Sequence, residues 1–384
     1  MPSPKSTAVS AVAREPSPRA LVPDLARGYM LLLIALAHAP LFVTVATGSV
    51  PDRAVNILLS LFVDHRARPL FALLFGYALV QITERAAARD GTDWPRARGL
   101  IRRRGAWMVA FGLAHTLVFV DIIGVYGLIA LLGAGVLRWS DRALLWGAAA
   151  LVVPAAAVGW IVSAGELSGQ IDVITASVTM ADPWSAAVHR FRTLPVETLG
   201  RVLTVLPAVL AGVWAARRRV LEEPARHRRL LTATAAAGLG TAVVGGLPAA
   251  LAHAGAWHAP SPLAAQVLAA VHLPTGLGAG VGLAALVALA ASGPRPPHGP
   301  VTAALVALGQ RSMTFYVAQS FVFVGLLSPF ALGLGASLTA PSACALALAV
   351  WAGSAVAADL MRRGGVRGPF ESLLRRLVHG RRRD

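Results

Sequence analysis

The sequence predicts an all-α fold, a polytopic transmembrane helical bundle of about ten spans with both termini in the cytoplasm. Three observations predict it. The chain is 56% hydrophobic and only 14% charged, where a soluble protein carries roughly 25% charged residues. Its apolar residues gather into ten runs that take up most of the 384 residues, and a helix needs about 20 of them to cross a bilayer core. Lys and Arg fall almost entirely in alternate loops between those runs.

Residues 1–20 are rich in Pro, Ser and Ala and read as a disordered cytoplasmic tail. Residues 21–361 read as the membrane-embedded domain, and residues 362–384 as a basic cytoplasmic tail. The first run is Tyr29–Thr47. Ala35-Leu36-Ala37 resembles a signal-peptide cleavage site, but the run continues through Ala46, which fits an uncleaved signal anchor better. Val55–Val63 is too short to cross and reads as a half-helix on the outer surface, ahead of the polar segment Asp64–Pro69. The second run, Pro69–Gln81, is short, as is the fourth, Ile122–Leu137. The third, Ile101–Val120, joins the fourth through a tight outer turn at Asp121. Then come Ala143–Ser163 and Leu199–Ala215, separated by an outer loop, Ala164–Thr198, whose length suggests a lid or an interfacial helix. The remaining runs are Leu230–Leu251, Ala264–Ala290, Val301–Leu327 and Ser337–Ala358. Pro274 interrupts the eighth run, where a kink is expected. Gly276, Gly278, Gly280 and Gly282 follow at the spacing of close helix packing rather than of a phosphate loop.

A net charge of +17 would point to nucleic acid in a soluble chain. Its distribution points elsewhere. Threading ten spans puts 28 of the 35 Lys and Arg residues on one side, which is the positive-inside pattern. Basic loops beside a bilayer attract anionic lipid headgroups. The single cysteine, Cys344, allows no intrachain disulfide and no Cys-based metal site. His253, His258 and His272 are too loosely spaced, and too far from any carboxylate, to make a metal site. The chain has no Walker sequence and no HExxH.

Ionisable groups deep in a bilayer are costly and mark function. His38, His115 and His272 are the candidates; Asp121 sits at a turn and Asp359 at a span end. Histidine serves as general acid or base near neutral pH, and it also serves simply as a hydrogen-bonding group between helices. Ser312, Tyr316, Gln319 and Ser320 make one polar stripe at helical spacing, facing either a cavity or a neighbouring helix. Arg66, Arg68 and Arg311 lie beside apolar spans, where Arg68 either joins a polar cavity or snorkels to the interface.

Asp24-Leu25-Ala26-Arg27-Gly28, followed by an apolar run ending in Ala37-His38, resembles the first span of the membrane acyltransferase superfamily. Arg68-Pro69-Leu70-Phe71-Ala72-Leu73-Leu74-Phe75-Gly76-Tyr77 and Asp121-Ile122-Ile123-Gly124-Val125-Tyr126-Gly127 are similar to a narrower relative, the YeiB-like bacterial membrane family (domain of unknown function 418). So are the run from Gly309-Gln310-Arg311-Ser312 to Ser320 and the run from Gly368-Pro369-Phe370-Glu371 to Leu377. Asn often stands at the His38 position in that family. The resemblance implies a multi-pass protein of the bacterial cytoplasmic (inner) membrane. It further implies an acyl transfer from a cytosolic acyl-CoA donor to an outer-facing hydroxyl on a glycan, lipid or small metabolite. Arg27, Arg98, Arg102, Arg103 and Arg104 would meet the donor phosphates, unless they serve only topology and headgroup contact. His38, Arg68, His115 and Asp121 would form the catalytic group, with Arg66, Arg311, Ser312, Tyr316 and Gln319 lining the cavity. A transporter or flippase, and a non-catalytic membrane partner, are the alternatives.

Overall fold

The structure, a computed structural model, describes residues 21–45, 47–91, 93–167, 173–257, 261–292 and 299–380. The described elements are helices and no strand occurs among them. α1 (Leu21–His38) leads through a short 3-10 turn to α2 (Val50–Phe62), α3 (Ala67–Asp90), α4 (Trp94–Thr116) and α5 (Ile123–Gly133). α6 (Asp141–Leu167), α7 (Val173–Thr179), α8 (Pro183–Arg217), α9 (Arg228–His253) and α10 (Pro262–Ala291) follow. The chain closes with α11 (Pro300–Gln310), α12 (Ser312–Leu327), α13 (Ala340–Arg363) and α14 (Pro369–His379).

Local chemistry sets many of the ends. Ser49, Asp93, Asp182 and Ser261 each accept a hydrogen bond from the backbone N–H three residues on, capping α2, α4, α8 and α10. Each of these helices also has Pro in its first two positions, where no N–H is needed. Gly91, at φ +57°, closes α3.

Seven helices among the described residues are long and apolar enough to cross a membrane. Their outward faces are apolar too: Trp146, Val153, Val196 and Val244 are each more than 70% exposed. A water-soluble protein buries such side chains, so the apolar exterior marks an integral membrane protein. α4 is of similar length, 23 residues, but carries Arg96, Arg98, Arg102, Arg103 and Arg104 in its first half, which lowers its hydropathy. Ile123–Arg138, α11 and α12 are shorter apolar helices.

Glycines bring the helix axes together. A Cβ at Gly309 of α11 would sit 1.8 Å from the Asp24 carbonyl oxygen of α1, and one at Gly28 would sit 2.4 Å from that of Leu305. Gly76 and Gly212 do the same between α3 and α8, and Gly105 and Gly127 between α4 and α5. The Gly276–Gly282 row divides by helical face. Gly278 and Gly282 meet Gly238 of α9, while Gly276 meets His65 and Gly280 meets Pro69 and Arg66. With no hydrophobic force between helices in lipid, such close approach supplies the packing energy.

The fold differs from the sequence reading at four places. α8 starts at Pro183, so most of the long loop is helical; its 35 residues make it roughly 50 Å long at about 1.5 Å each. The short second run lies in a helix of 24 residues that continues past Gln81 to Asp90. The ninth run is not one helix but two, broken at Arg311. The basic C-terminal segment contains α14, whose Leu374 and Val378 are buried against the bundle. Residues 1–20, read as a tail, lie outside the described residues.

Candidate functional site

One cavity of about 1030 Å³ lies among the helices. Along α3 it is lined by Arg68, Phe71, Phe75, Ala78, Ile82 and Arg85, alternate steps of three and four residues on one helical face. From Arg68 to Arg85 that face covers about 25 Å at 1.5 Å per residue, most of a hydrocarbon core of about 30 Å. α1 lines the opposite wall from Asp24 and Arg27 past Met30 and Ile34 to His38. The order along both helices is polar, apolar, polar.

At the first end, Arg27 Nη1 donates to Asp24 Oδ1 at 2.8 Å, and Gln310 Nε2 donates to Asp24 Oδ2 at 3.0 Å. Arg85, Arg104, Arg367 and Arg375 also line this end. Glu371 accepts from the backbone N–H of Met313 at 2.8 Å and of Thr314 at 3.1 Å, and from the Thr314 hydroxyl. These are the first free donors of α12, where a carboxylate is favoured by the helix dipole. Arg311 bridges the break before α12: its Nη1 donates to Ala307 O at 3.0 Å and its Nη2 to Val366 O at 2.6 Å.

At the other end, His38 packs edge-on against Phe119, ring centres 4.8 Å apart, and near Tyr316 at 6.2 Å. Among the described residues nothing bonds its buried Nδ1. His115 Nδ1–H donates to Asp121 Oδ1 at 3.0 Å, and Asp121 Oδ2 accepts from Gly124 N at 2.6 Å. That carboxylate fixes the tautomer of His115. Tyr316 donates to Val120 O at 3.3 Å and Tyr126 to Arg68 O at 3.0 Å. Arg201 Nη1 donates to Asp121 O at 2.9 Å and pairs with Glu197. His65, at φ +60°, also lines this end; a left-handed histidine stores strain, a feature that clusters at functional sites.

Several sequence-predicted residues meet here. His38, Arg68, Asp121, Arg27, Arg104, Arg311, Ser312 and Tyr316 all line the one cavity. His115 stands one bond behind, through Asp121. Three groups of expected residues are placed elsewhere. Arg98, Arg102 and Arg103 are exposed and lie outside the lining, because the buried face of α4 is set by Ile101, Gly105 and Met108. Arg66 is fully buried in packing, 3.3 Å from His272 Nε2 and donating to Asp64 O, and does not line the cavity. Gln319 is buried away from it as well, so the α12 stripe divides: Ser312 and Tyr316 face the cavity, Gln319 and Ser320 face packed helices. His258 and the side chain of His253 lie outside the described residues.

Arg85, Arg201, Arg367, Arg375 and Glu371 escaped the sequence reading. For Arg85 a signal existed, since it falls seven residues after Ala78 and fourteen after Phe71 on the face that carries Arg68. Glu371 and Arg375 fall in the run from Gly368 to Leu377, which carries the family resemblance and names no cavity role; for Arg201 and Arg367 no signal existed, because their neighbours at the cavity lie far along the chain.

No curated protein and no solved structure matches the chain. Residues 215–381 match the family model described as "Protein of unknown function (DUF418)". That stretch holds two of the sequence pieces that meet at the cavity, the one around Gln310–Ser320 and the one around Glu371. Over residues 215–381 the chain is similar to the DUF418 family, in line with the YeiB-like resemblance of its sequence pieces.

Proposed function

We propose that this protein crosses the bacterial cytoplasmic membrane ten times, with both termini inside, and moves an acyl group from a cytosolic acyl-CoA-type donor to an outer-facing hydroxyl. The observation that carries this reading is the polar–apolar–polar order of the cavity. Its arginine end suits the donor phosphates, which a planar guanidinium grips in bidentate fashion. Its apolar middle, with Met30, Ile34, Phe71 and Phe75, suits the arm that joins phosphates to thioester. Arg27 and His38 are eleven residues apart on α1, a rise of about 16 Å, so a thioester at His38 leaves room for that arm.

In this reading His38 accepts the proton of the acceptor hydroxyl. The oxygen attacks the thioester carbonyl, a C–O bond forms, the C–S bond breaks, and the proton passes to the departing thiolate. Arg68 faces the oxyanion that develops. Asp121 and His115 hold the wall beside Tyr316. Membranes supplied with acyl-labelled CoA thioester are the test. Label should reach an outer-facing product with the parent protein and be lost in His38→Ala, with insertion and melting temperature retained. Full transfer by His38→Ala sinks the assignment. Because the cavity lining along α3 covers most of a hydrocarbon core's thickness, transport is the second reading, and substrate flux into vesicles without any covalent product would favour it.

A further inference from the structure

The last described helix, α14, forms part of the wall of the cavity. α14 is amphipathic: Leu374 and Val378 are buried, while Arg375 and His379 line the cavity at its arginine end. Arg367, in the loop before it, lines the same end. Arg85 on α3 and Arg104 on α4 face them. Among the described residues, no carboxylate stands at ion-pair distance from Arg85, Arg104, Arg367 or Arg375. The carboxylate nearest to hand, Glu371, is committed to the N–H groups of Met313 and Thr314. Gly368 makes that fit possible, since a Cβ there would sit 1.9 Å from Glu371 Oε2. Phe370 N donates to Thr314 Oγ1 at 3.2 Å, and Arg311 holds Val366 O, so both sides of Arg367 are fixed.

We infer that Arg85, Arg104, Arg367 and Arg375 together form a phosphate-ester site, and that Glu371 is the positioning residue that docks the C-terminal arginines onto it. The inference rests on the donor reading above and extends it to residues from four separate segments. Four guanidinium groups around one chamber repel each other until an anion with several phosphate oxygens joins them. The same chemistry is offered by a soluble donor such as coenzyme A and by the phosphate of an anionic lipid headgroup.

Binding of coenzyme A to the full chain separates the possibilities. The protein is placed in nanodiscs of zwitterionic lipid, and again in nanodiscs containing phosphatidylglycerol. Coenzyme A should bind in the first, and binding should weaken by about tenfold or more in Arg367→Ala/Arg375→Ala, as expected for lost hydrogen bonds to a charged group. Arg102→Ala/Arg103→Ala, exposed on the other face of α4, should leave binding unchanged. Glu371→Gln should weaken binding less than Glu371→Ala, because an amide oxygen still accepts from Met313 and Thr314. If coenzyme A fails to bind in zwitterionic discs and phosphatidylglycerol alone raises the melting temperature, in a manner lost with Arg367 and Arg375, the site holds a lipid phosphate. Equal coenzyme A affinity in the parent protein and in folded Arg367→Ala/Arg375→Ala would overturn the site. Arginine-dependent binding without any acyl transfer would leave the site standing and remove the catalytic reading instead.

Discussion

His115 Nδ1 lies 3.0 Å from Asp121 Oδ1, with both side chains buried. The pair ties the last turn of α4 to the turn that starts α5. Asp121 does three jobs in one place: it orients His115, accepts from Gly124 N, and lends its own carbonyl to Arg201.

Asp121→Ala therefore leaves a buried imidazole and a buried amide N–H without an acceptor. The expected destabilisation is about 1–3 kcal/mol, read as a lower melting temperature in detergent. Asp121→Asn keeps an oxygen for Gly124 and should cost less. Identical melting curves for Asp121→Ala and the parent would show that the pair contributes nothing to the fold.

The glycine crossings make a sharper contrast. Gly309→Ala places a methyl carbon 1.8 Å from the Asp24 carbonyl oxygen, and Gly212→Ala places one 2.1 Å from that of Leu73. Both obstacles are backbone, which cannot swing aside, so α1–α11 and α3–α8 must separate. Folded yield should collapse in both. Gly240→Ala meets nothing within 4 Å and should be neutral or stabilising by about 0.5–1 kcal/mol, because Gly loses more entropy in a helix than Ala. Size-exclusion profiles of the three variants in detergent decide it; a monodisperse Gly309→Ala would contradict the packing.

Hydropathy and glycine spacing made most of the helices legible, because those signals are local. The break in the ninth run was not. Val301–Leu327 holds no proline, and its one charged residue is Arg311; what splits it is a partner near the C-terminus: Glu371 caps α12, and Arg311 reaches Val366. The first half of α8 falls in the stretch Ala164–Thr198, where Asp182, Arg190 and Arg192 interrupt the apolar pattern and length alone suggests a lid or an interfacial helix; its second half is the span Leu199–Ala215. The helix carries Pro195 inside it, and two of its charged residues, Arg190 and Arg201, turn inward. At the site, His38, Arg68 and Asp121 were legible from residue type and position. Which arginines of α4 face inward was also readable in principle. Arg104 lies between the buried positions Ile101 and Met108, whereas Arg102 and Arg103 do not share that face.

Orientation in the membrane is open to a direct check. The charge bias puts Ala225 inside and Ser185 outside. Both positions are exposed. With Cys344→Ser as background, Ser185→Cys should react with a membrane-impermeant maleimide in intact cells, and Ala225→Cys only after permeabilisation. Labelling of position 225 in intact cells would invert the topology and with it the assignment of the arginine end to the cytoplasm.

The α4–α5 turn offers the last test, because two arginines of α8 hold it. Arg190 Nε donates to Thr116 O at 2.8 Å and its Nη2 to Leu117 O at 2.7 Å. These carbonyls end α4, where the helix has no internal donors left. A guanidinium serves both at once through its fixed fork; an ammonium is a single flexible point charge. Arg190→Ala should therefore loosen the turn, and Arg190→Lys should restore only part of it. Amide hydrogen exchange over residues 115–122 reads the effect locally, with faster exchange expected in Ala than in Lys and slowest in the parent. Since Asp121 sits in this turn and lines the cavity, labelled acyl transfer should fall in the same order while coenzyme A binding at the distant arginine end holds. Unchanged exchange in Arg190→Ala would mean that the turn stands without its clamp.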